Sequence, residues 1–513
     1  MSLTIDVDRT SSMPLYEQIA TSLRQTIVDG RLQPGERLPS TRELATTLRV
    51  HRKTVMQAFR SLEGEGWVTS GVGQGTFVAK RHPLPGSTDL PNLTPSADPR
   101  SGSSTSGYGF SWSDKFHPVR MAEVEWDYWL DSPVRDDAIR FDAATADPEY
   151  FPVGDFRELL QEVLEVEGSR VLDYGPSRGY APLREWLAGR INRRGIEVSA
   201  DQVLIVNGSQ HGLDLVARLL FRSGERVLVE EPSYRNGFRL FQALGAEVVG
   251  VPIDEKGIDP VALHARAAQG ARLLYTMPIF QNPTATVLAE ERIEPILEIT
   301  RAAGIPILED HFDADLLYEG SPPVSIKSRD RYDQVILSGT FSKILFPGLR
   351  LGWLILPQDL VEPMKQLKQT TDLSSGLLAQ WAMNLYCRRG HLDAHLETVT
   401  AIHRRRLAVT EESLEKYFPP GSDWPRPRGG MSCWVSLPDD VNLFALSQAA
   451  RREGVEFSPG PLFYPRGGGE HQLRLVYVRE TEERIRKGIE TLGRLARDLQ
   501  RGGRERKNQT PFL

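Results

Sequence analysis

Cysteine is nearly missing from this sequence: Cys387 and Cys433 are the only two among 513 residues. Neither sits at a spacing typical of metal ligands, and so few thiols argue against a disulfide framework and for a reducing, cytoplasmic compartment. Long apolar runs are missing too. No segment offers the roughly 18 consecutive apolar residues that a membrane helix needs, and no basic start leads into an apolar stretch of signal-peptide length. Nor does one sign of charge dominate: 62 Lys and Arg stand against 68 Asp and Glu, a net charge of −6. What remains is the composition of a soluble globular chain, long enough for two to four domains.

The modest charge is unevenly spread. Residues 1–80 carry a net +2, and within 31–60 seven basic residues face two acidic ones. A basic patch on an acidic chain points toward nucleic acid. The local pattern agrees. "PLYEQIATSLRQTIVDG" spaces Leu15, Ile19, Leu23 and Ile27 four apart, as one stripe of a helix that Gly30 would end. "STRELATTL" opens with Ser40 and Glu43 at capping-box spacing. "RKTVMQAFRSLEGEG" turns Val55, Phe59 and Leu62 inward and Arg52, Lys53, Gln57 and Arg60 elsewhere, and "WVTSGVGQGTFV" reads as a two-stranded ribbon. Its glycines are not a dinucleotide loop, because a strand pattern follows where that loop needs a helix. Two helices, a turn, a basic helix and a hairpin make a winged helix-turn-helix over residues 10–80, whose third helix would enter the major groove of double-stranded operator DNA.

Residues 81–138 are expected to be a linker. Pro, Ser and Gly dominate as far as about 107, and an aromatic-rich stretch of no clean period follows. From 139 to 500 the pattern changes to short apolar runs separated by amphipathic helical stretches: "VLIVN", "RVLVEEP", "RLLYTMP", "IPILED", "QVILSG" and "GWLIL". That alternation predicts an α/β domain with a mostly parallel sheet, whose ligands sit at the carboxyl ends of the strands. The unusual residues fall at those ends. A basic tail, expected to be flexible, occupies 501–513.

The segment "SGTFSKILFPGLRLGW" places Lys343 behind Thr340 and Ser342, with Arg350 seven residues on. A lysine among hydroxyls beside a second cation suits a Schiff base to pyridoxal 5'-phosphate. The other parts of such a site have candidates. "NGSQHGLDL" sets Ser209 and Gln210 at a helix start that would cradle the phosphate together with Thr340, Ser342 and the fork of Arg350. Asp310, at a strand end, would hold the ring nitrogen protonated. Asn282 would donate to the phenolic oxygen, and Tyr234 would stack on the ring.

These residues carry a resemblance. "LYEQIATSLRQTIVDGRLQPGERLPSTRELATTLRVHRKTVMQAFRSLEGEGWV" and "GQGTFV" resemble the GntR family of bacterial regulators. "FPVGDFRELL", "YGPSRGYAPLREWLAGR", "EEPSYRNG", "IFQNPTATVL", "ILEDHFDAD" and "HQLRLVYV", together with the motifs above, resemble fold-type I aminotransferases. The whole chain thus resembles the MocR subfamily of GntR regulators. That implies DNA contacts by Ser40, Arg42, Arg52, Lys53 and Thr54, with His51 and Lys53 in slots where the family varies. It also implies Lys343 as the cofactor lysine, a head-to-tail homodimer in which Tyr174 reaches the partner's phosphate, and Arg474 as the grip on a ligand carboxylate. One position departs from the pattern: Phe312 stands where the family usually carries a tyrosine that bonds the phenolic oxygen, and His311 precedes it. The resemblance therefore implies a regulator that senses an amino acid, an amine or the cofactor itself. The alternatives are a working aminotransferase that carries a DNA-binding domain, and a DNA-binding protein whose large domain is only a scaffold.

Overall fold

A computed structural model of the chain describes residues 15–28, 32, 35–48, 50–64, 67–71, 75–78 and 134–508. It divides into two units, Met1–Phe110 and Ser111–Leu513. Of the expected linker, residues 134–138 are described and the others lie outside.

In the first unit, α1 (Leu15–Val28), α2 (Thr41–Thr47) and α3 (Arg52–Gly64) precede a hairpin of β1 (Val68–Gly71) and β2 (Gly75–Val78). Ile19, Leu23 and Ile27 are buried against Val55, Phe59 and Leu62, so the fourfold spacing of α1 does become its inner face. Ser40 caps α2: its hydroxyl accepts from the Glu43 amide at 3.2 Å, and the Glu43 carboxylate accepts from the Ser40 amide at 2.8 Å. The reciprocal pair satisfies two amides that a helix start otherwise leaves bare.

The second unit is built on an eight-stranded sheet. Its strands are β4 (Val203–Val206), β5 (Arg226–Glu231), β6 (Glu247–Asp254), β7 (Gly257–Ile258), β8 (Leu273–Thr276), β9 (Ile307–His311), β10 (Val335–Thr340) and β11 (Gly352–Ile355), in the order β4-β11-β10-β9-β8-β5-β6-β7. The run from β10 through β9, β8 and β5 to β6 is parallel, whereas β11 is antiparallel to both neighbours and β7 is antiparallel to β6. Alternate residues of β4 enter different cores: Val203 and Ile205 join one, Leu204 and Val206 the other. Such two-sided burial explains why these strands read as unbroken apolar runs. A smaller sheet of β12 (Ser432–Ser436), β15 (Gln472–Val476) and β14 (Ser458–Pro459), and a pair of β3 (Ile139–Arg140) with β13 (Val455–Glu456), complete the strands.

The expected tail needs a correction. The helix Glu482–Asn508 runs through residues 501–508, with Gly502 and Gly503 inside it. Two glycines cost about 1 kcal/mol each in a helix interior, too little to stop one anchored by the buried Ile485, Ile489, Leu492 and Ala496. Residues 509–513 lie outside the described part.

Candidate functional site

Four neighbouring strands, β4, β11, β10 and β9, bring many of the expected residues together. Asp310 lies on β9, paired with Ser338 of β10. The turn after β10 carries Thr340, Ser342 and Lys343. The chain then returns through Arg350 into β11, which pairs with β4 and so sets Gly352 opposite Val206, just before Asn207. Lys343 lies within electrostatic reach of Arg474, Arg350 and Asp310, and Tyr234 within reach of the same three.

The Lys343 ammonium donates to the Ala144 carbonyl at 2.8 Å. Burial, and after it the positive charge of Arg474, pushes this amine down to about 8. A neutral amine is the nucleophilic form, so the setting favours attack on a carbonyl carbon. Asp310 is 2% exposed. One of its oxygens accepts from the Tyr275 hydroxyl at 2.9 Å, and the other has no hydrogen-bond partner among the described residues. Burial pushes its carboxyl up to about 6. The Ser338 hydroxyl on the neighbouring strand lies near enough to favour the ionised carboxylate but makes no hydrogen bond to this oxygen, which is free to accept from a further donor.

Arg474 comes from β15. Its guanidinium donates to the Asn282 side-chain oxygen at 2.9 Å, and to the Asp142 carbonyl and the Ser458 hydroxyl at 3.1 Å each. It also lies 4.9 Å from the centre of the Phe463 ring. Burial pushes it down to about 10. The groups that it bonds are all neutral, which leaves a desolvated cation suited to an anion. Because the Asn282 oxygen accepts from Arg474, the Asn282 amide keeps its N–H groups for another acceptor. Glu230 fixes the loop that carries Asn282. It accepts from the Thr276 hydroxyl at 2.6 Å, the Met277 amide at 3.1 Å and the Gln281 side chain at 3.1 Å, and burial pushes it up to about 7.

The expected phosphate cradle has two sides. On one, the Thr340 hydroxyl donates to Ser342 at 3.1 Å. On the other, Gly208, at φ +81°, precedes the helix Ser209–Leu220, whose first turn holds Ser209 and Gln210. The Arg350 guanidinium donates to the Asn207 carbonyl at 2.9 Å and passes so close to Gly208 that a Cβ there would lie 2.9 Å from it. Glycine is favoured at this position by its backbone angle, and a Cβ there would also push the guanidinium aside. Tyr234 caps the helix Arg235–Ala243, with its hydroxyl 3.5 Å from the Gln210 side chain.

Three residues stand apart. Tyr174 is 78% exposed and joins none of the others. His311 bonds Glu309 at 2.7 Å. Phe312 packs against the apolar core on one face of the sheet. Reading the sequence alone missed Tyr275, Asp142, Ser458 and Glu230. Only Tyr275 left a visible trace, as an aromatic hydroxyl inside the strand-type run "LLYT".

In the first unit, Arg52 opens α3 and its Nε donates to the Thr41 hydroxyl at 3.2 Å, which ties α3 to α2. The Lys53 amide donates to Nδ1 of His51 at 3.2 Å. Arg52 and Lys53 are exposed and Thr54 is half-buried. Arg42 lies on α2, with its side chain outside the described part. Among the described residues, no helix is long and apolar enough to cross a membrane, and no cluster of His, Cys, Asp and Glu could hold a metal ion.

Comparison with known proteins agrees with this geometry. Residues 144–492 match the family model for aminotransferases of class I and II, and residues 15–78 match that for bacterial regulatory proteins of the gntR family. The chain is 31% identical to the transcriptional regulator TauR of Rhodobacter capsulatus over 490 residues, which is 94% of this chain and 96% of that protein. It is 27% identical to MocR of Rhizobium meliloti, a probable rhizopine catabolism regulatory protein, over 95% of this chain and 94% of that one. Among solved structures, the α-aminoadipate aminotransferase LysN of Thermus thermophilus, complexed with N-(5'-phosphopyridoxyl)-L-leucine, superposes with a TM-score of 0.70 at 32% identity, over 76% of this chain and 99% of that one. The chain belongs to the class I and II aminotransferases, a pyridoxal-phosphate-dependent family, and its gntR domain makes it a transcription regulator of the MocR type.

Proposed function

We propose that this regulator binds pyridoxal 5'-phosphate covalently through Lys343 and senses an amino acid or amine, or the cofactor itself. The observation that carries the reading is the pair of complementary buried groups: a depressed lysine amine, and a carboxyl with one bare oxygen. Bound there, the cofactor supplies an electrophilic carbon to amines. Asp310 would hold a proton on the ring nitrogen through its bare oxygen. Asn282, oriented by Arg474, would donate to the phenolic oxygen. Thr340, Ser342, Ser209, Gln210 and Arg350 would hold the phosphate, and Tyr234 would cover the ring. Arg474 would take the ligand's carboxylate. Tyr174 would complete the site of a partner subunit in a head-to-tail homodimer.

Phe312 supports sensing over turnover. It leaves Asn282 as the main donor to the phenolic oxygen, and later proton transfers depend on fine tuning of the ring, where general acid–base steps are worth about 10²–10⁴-fold. The ligand then acts by binding one state of the molecule better than another. Purified protein should be yellow, and borohydride should fix the cofactor's mass on the peptide containing Lys343. A label on another lysine, or brisk transamination by the unaltered protein, would refute the proposal.

A further inference from the structure

Behind the expected phosphate cradle lies a set of charged groups that no step above uses. Lys368 is fully buried, and its ammonium donates to both oxygens of Asp372, at 2.9 and 3.0 Å. Asp372 is the last residue of the helix Val361–Asp372. A carboxylate there faces the negative end of the helix dipole, and the buried ammonium one turn earlier is its counter-charge. The same carboxylate accepts from the Asn207 side-chain amide at 2.8 Å. The Asn207 carbonyl in turn accepts from Arg350 at 2.9 Å, and the Asn207 amide donates to His211 at 3.2 Å. A His211 nitrogen that accepts that bond is unprotonated, and burial holds this imidazole below its ordinary range.

We infer that Lys368 and Asp372 are positioning residues for the phosphate subsite: through Asn207 they clamp the Asn207–Gly208 peptide, so that Arg350 and the first amides of the helix Ser209–Leu220 converge on one anion. None of the three needs to touch the phosphate. Without the Asp372 acceptor the Asn207 side chain is free to rotate, the peptide ahead of Gly208 loses its fixed plane, and Arg350 loses its fixed carbonyl partner. The inference rests on the reading of this site as a pyridoxal phosphate site, and it predicts a defect that depends on the phosphate alone.

The test compares two probes on the full-length chain, pyridoxal 5'-phosphate and pyridoxal, with binding followed by visible absorbance. Asp372→Ala should weaken binding of the phosphorylated probe at least tenfold and that of pyridoxal less than twofold. The double variant Lys368→Met with Asp372→Asn removes the buried charges yet keeps an acceptor for Asn207. It should recover the preference for the phosphorylated probe to within about threefold of the unaltered protein. A preference left intact by Asp372→Ala, an equal loss for both probes, or a double variant as impaired as Asp372→Ala would overturn the inference. If the unaltered chain bound pyridoxal phosphate no better than pyridoxal, the proposed function would fail first, before any variant is read.

Discussion

Asp310 is buried with one oxygen bonded to Tyr275 and the other bare among the described residues, and its carboxyl is pushed up to about 6. Its folded value is thus above the ordinary 3.8. The protonated form is the one that folding favours, so the stability it gives is full below about pH 4 and is lost as pH rises through 6. At pH 7 the ionised group costs the cofactor-free fold about 3 kcal/mol at most. Asp310→Asn keeps an acceptor for Tyr275 and removes the charge. The cofactor-free variant should therefore be about 1–2 kcal/mol more stable than the unaltered chain to urea at pH 7 and lose that advantage by pH 4, while binding pyridoxal phosphate at least tenfold more weakly. Destabilisation at both pH values would contradict the account. On the proposed reading, Phe312→Tyr gives the phenolic oxygen the donor that this chain lacks. A donor favours the ionised oxygen, so the midpoint of the visible-absorbance titration should fall by about one pH unit. Single residues were the part of the site most open to sequence reading, since Lys343, Asp310 and Asn282 each fall at or just past the end of an apolar, strand-type run. Their pairings were closed to it. The bond between Arg474 and Asn282 spans a sequence separation of 192, and no local pattern encodes it.

At the scale of elements, the hairpin from β10 to β11 matters most, because it carries both Lys343 and Arg350 and sets Arg350 against the end of β4. Gly208→Ala should force the Arg350 guanidinium aside and strain a backbone at φ +81°. We expect a stability loss of about 1–3 kcal/mol by urea titration, with binding of pyridoxal phosphate weakened more than that of pyridoxal. Ser40→Ala removes one half of a capping box and should cost the first unit about 1 kcal/mol. All six of the apolar runs quoted became strands, and the capping box and inner stripe of α1 were legible because helix and strand periods are local. The direction of β11 was the weak point. A parallel crossover needs a dozen residues or more, and the short stretch between β10 and β11 holds a Pro-Gly turn and no room for a full crossover helix. The reversal was therefore readable from length. The small sheet of β12, β14 and β15 was not, because its strands are two to five residues long and are defined only by distant partners.

For the whole molecule, a DNA-binding unit and a cofactor unit make separable predictions. Arg52→Ala should weaken binding to a DNA fragment selected from a random pool by about 1–3 kcal/mol, with the visible spectrum unchanged. Binding by the unaltered chain should fall steeply as salt rises. A fragment of residues 81–513 that held the same DNA as tightly would overturn the division of labour. This division was visible in composition, where a net +5 over 31–60 contrasts with an acidic remainder. The run of helix past residue 500 was not visible, because a basic, glycine-containing end looks the same whether or not a packed helix leads into it.

The order of these parts along the chain has a consequence during synthesis. The winged unit is finished by Val78, whereas the proposed cofactor site draws on Asn207, Asp310, Lys343 and, last, Arg474. At about 5–20 residues per second, a ribosome takes roughly 20–80 s to cover that distance. Every newborn copy thus carries a complete DNA-reading domain, still tethered to its messenger, well before it has anywhere to put a cofactor. In a cell that couples translation to transcription, the first DNA such a nascent domain meets is its own gene and the neighbouring sequence.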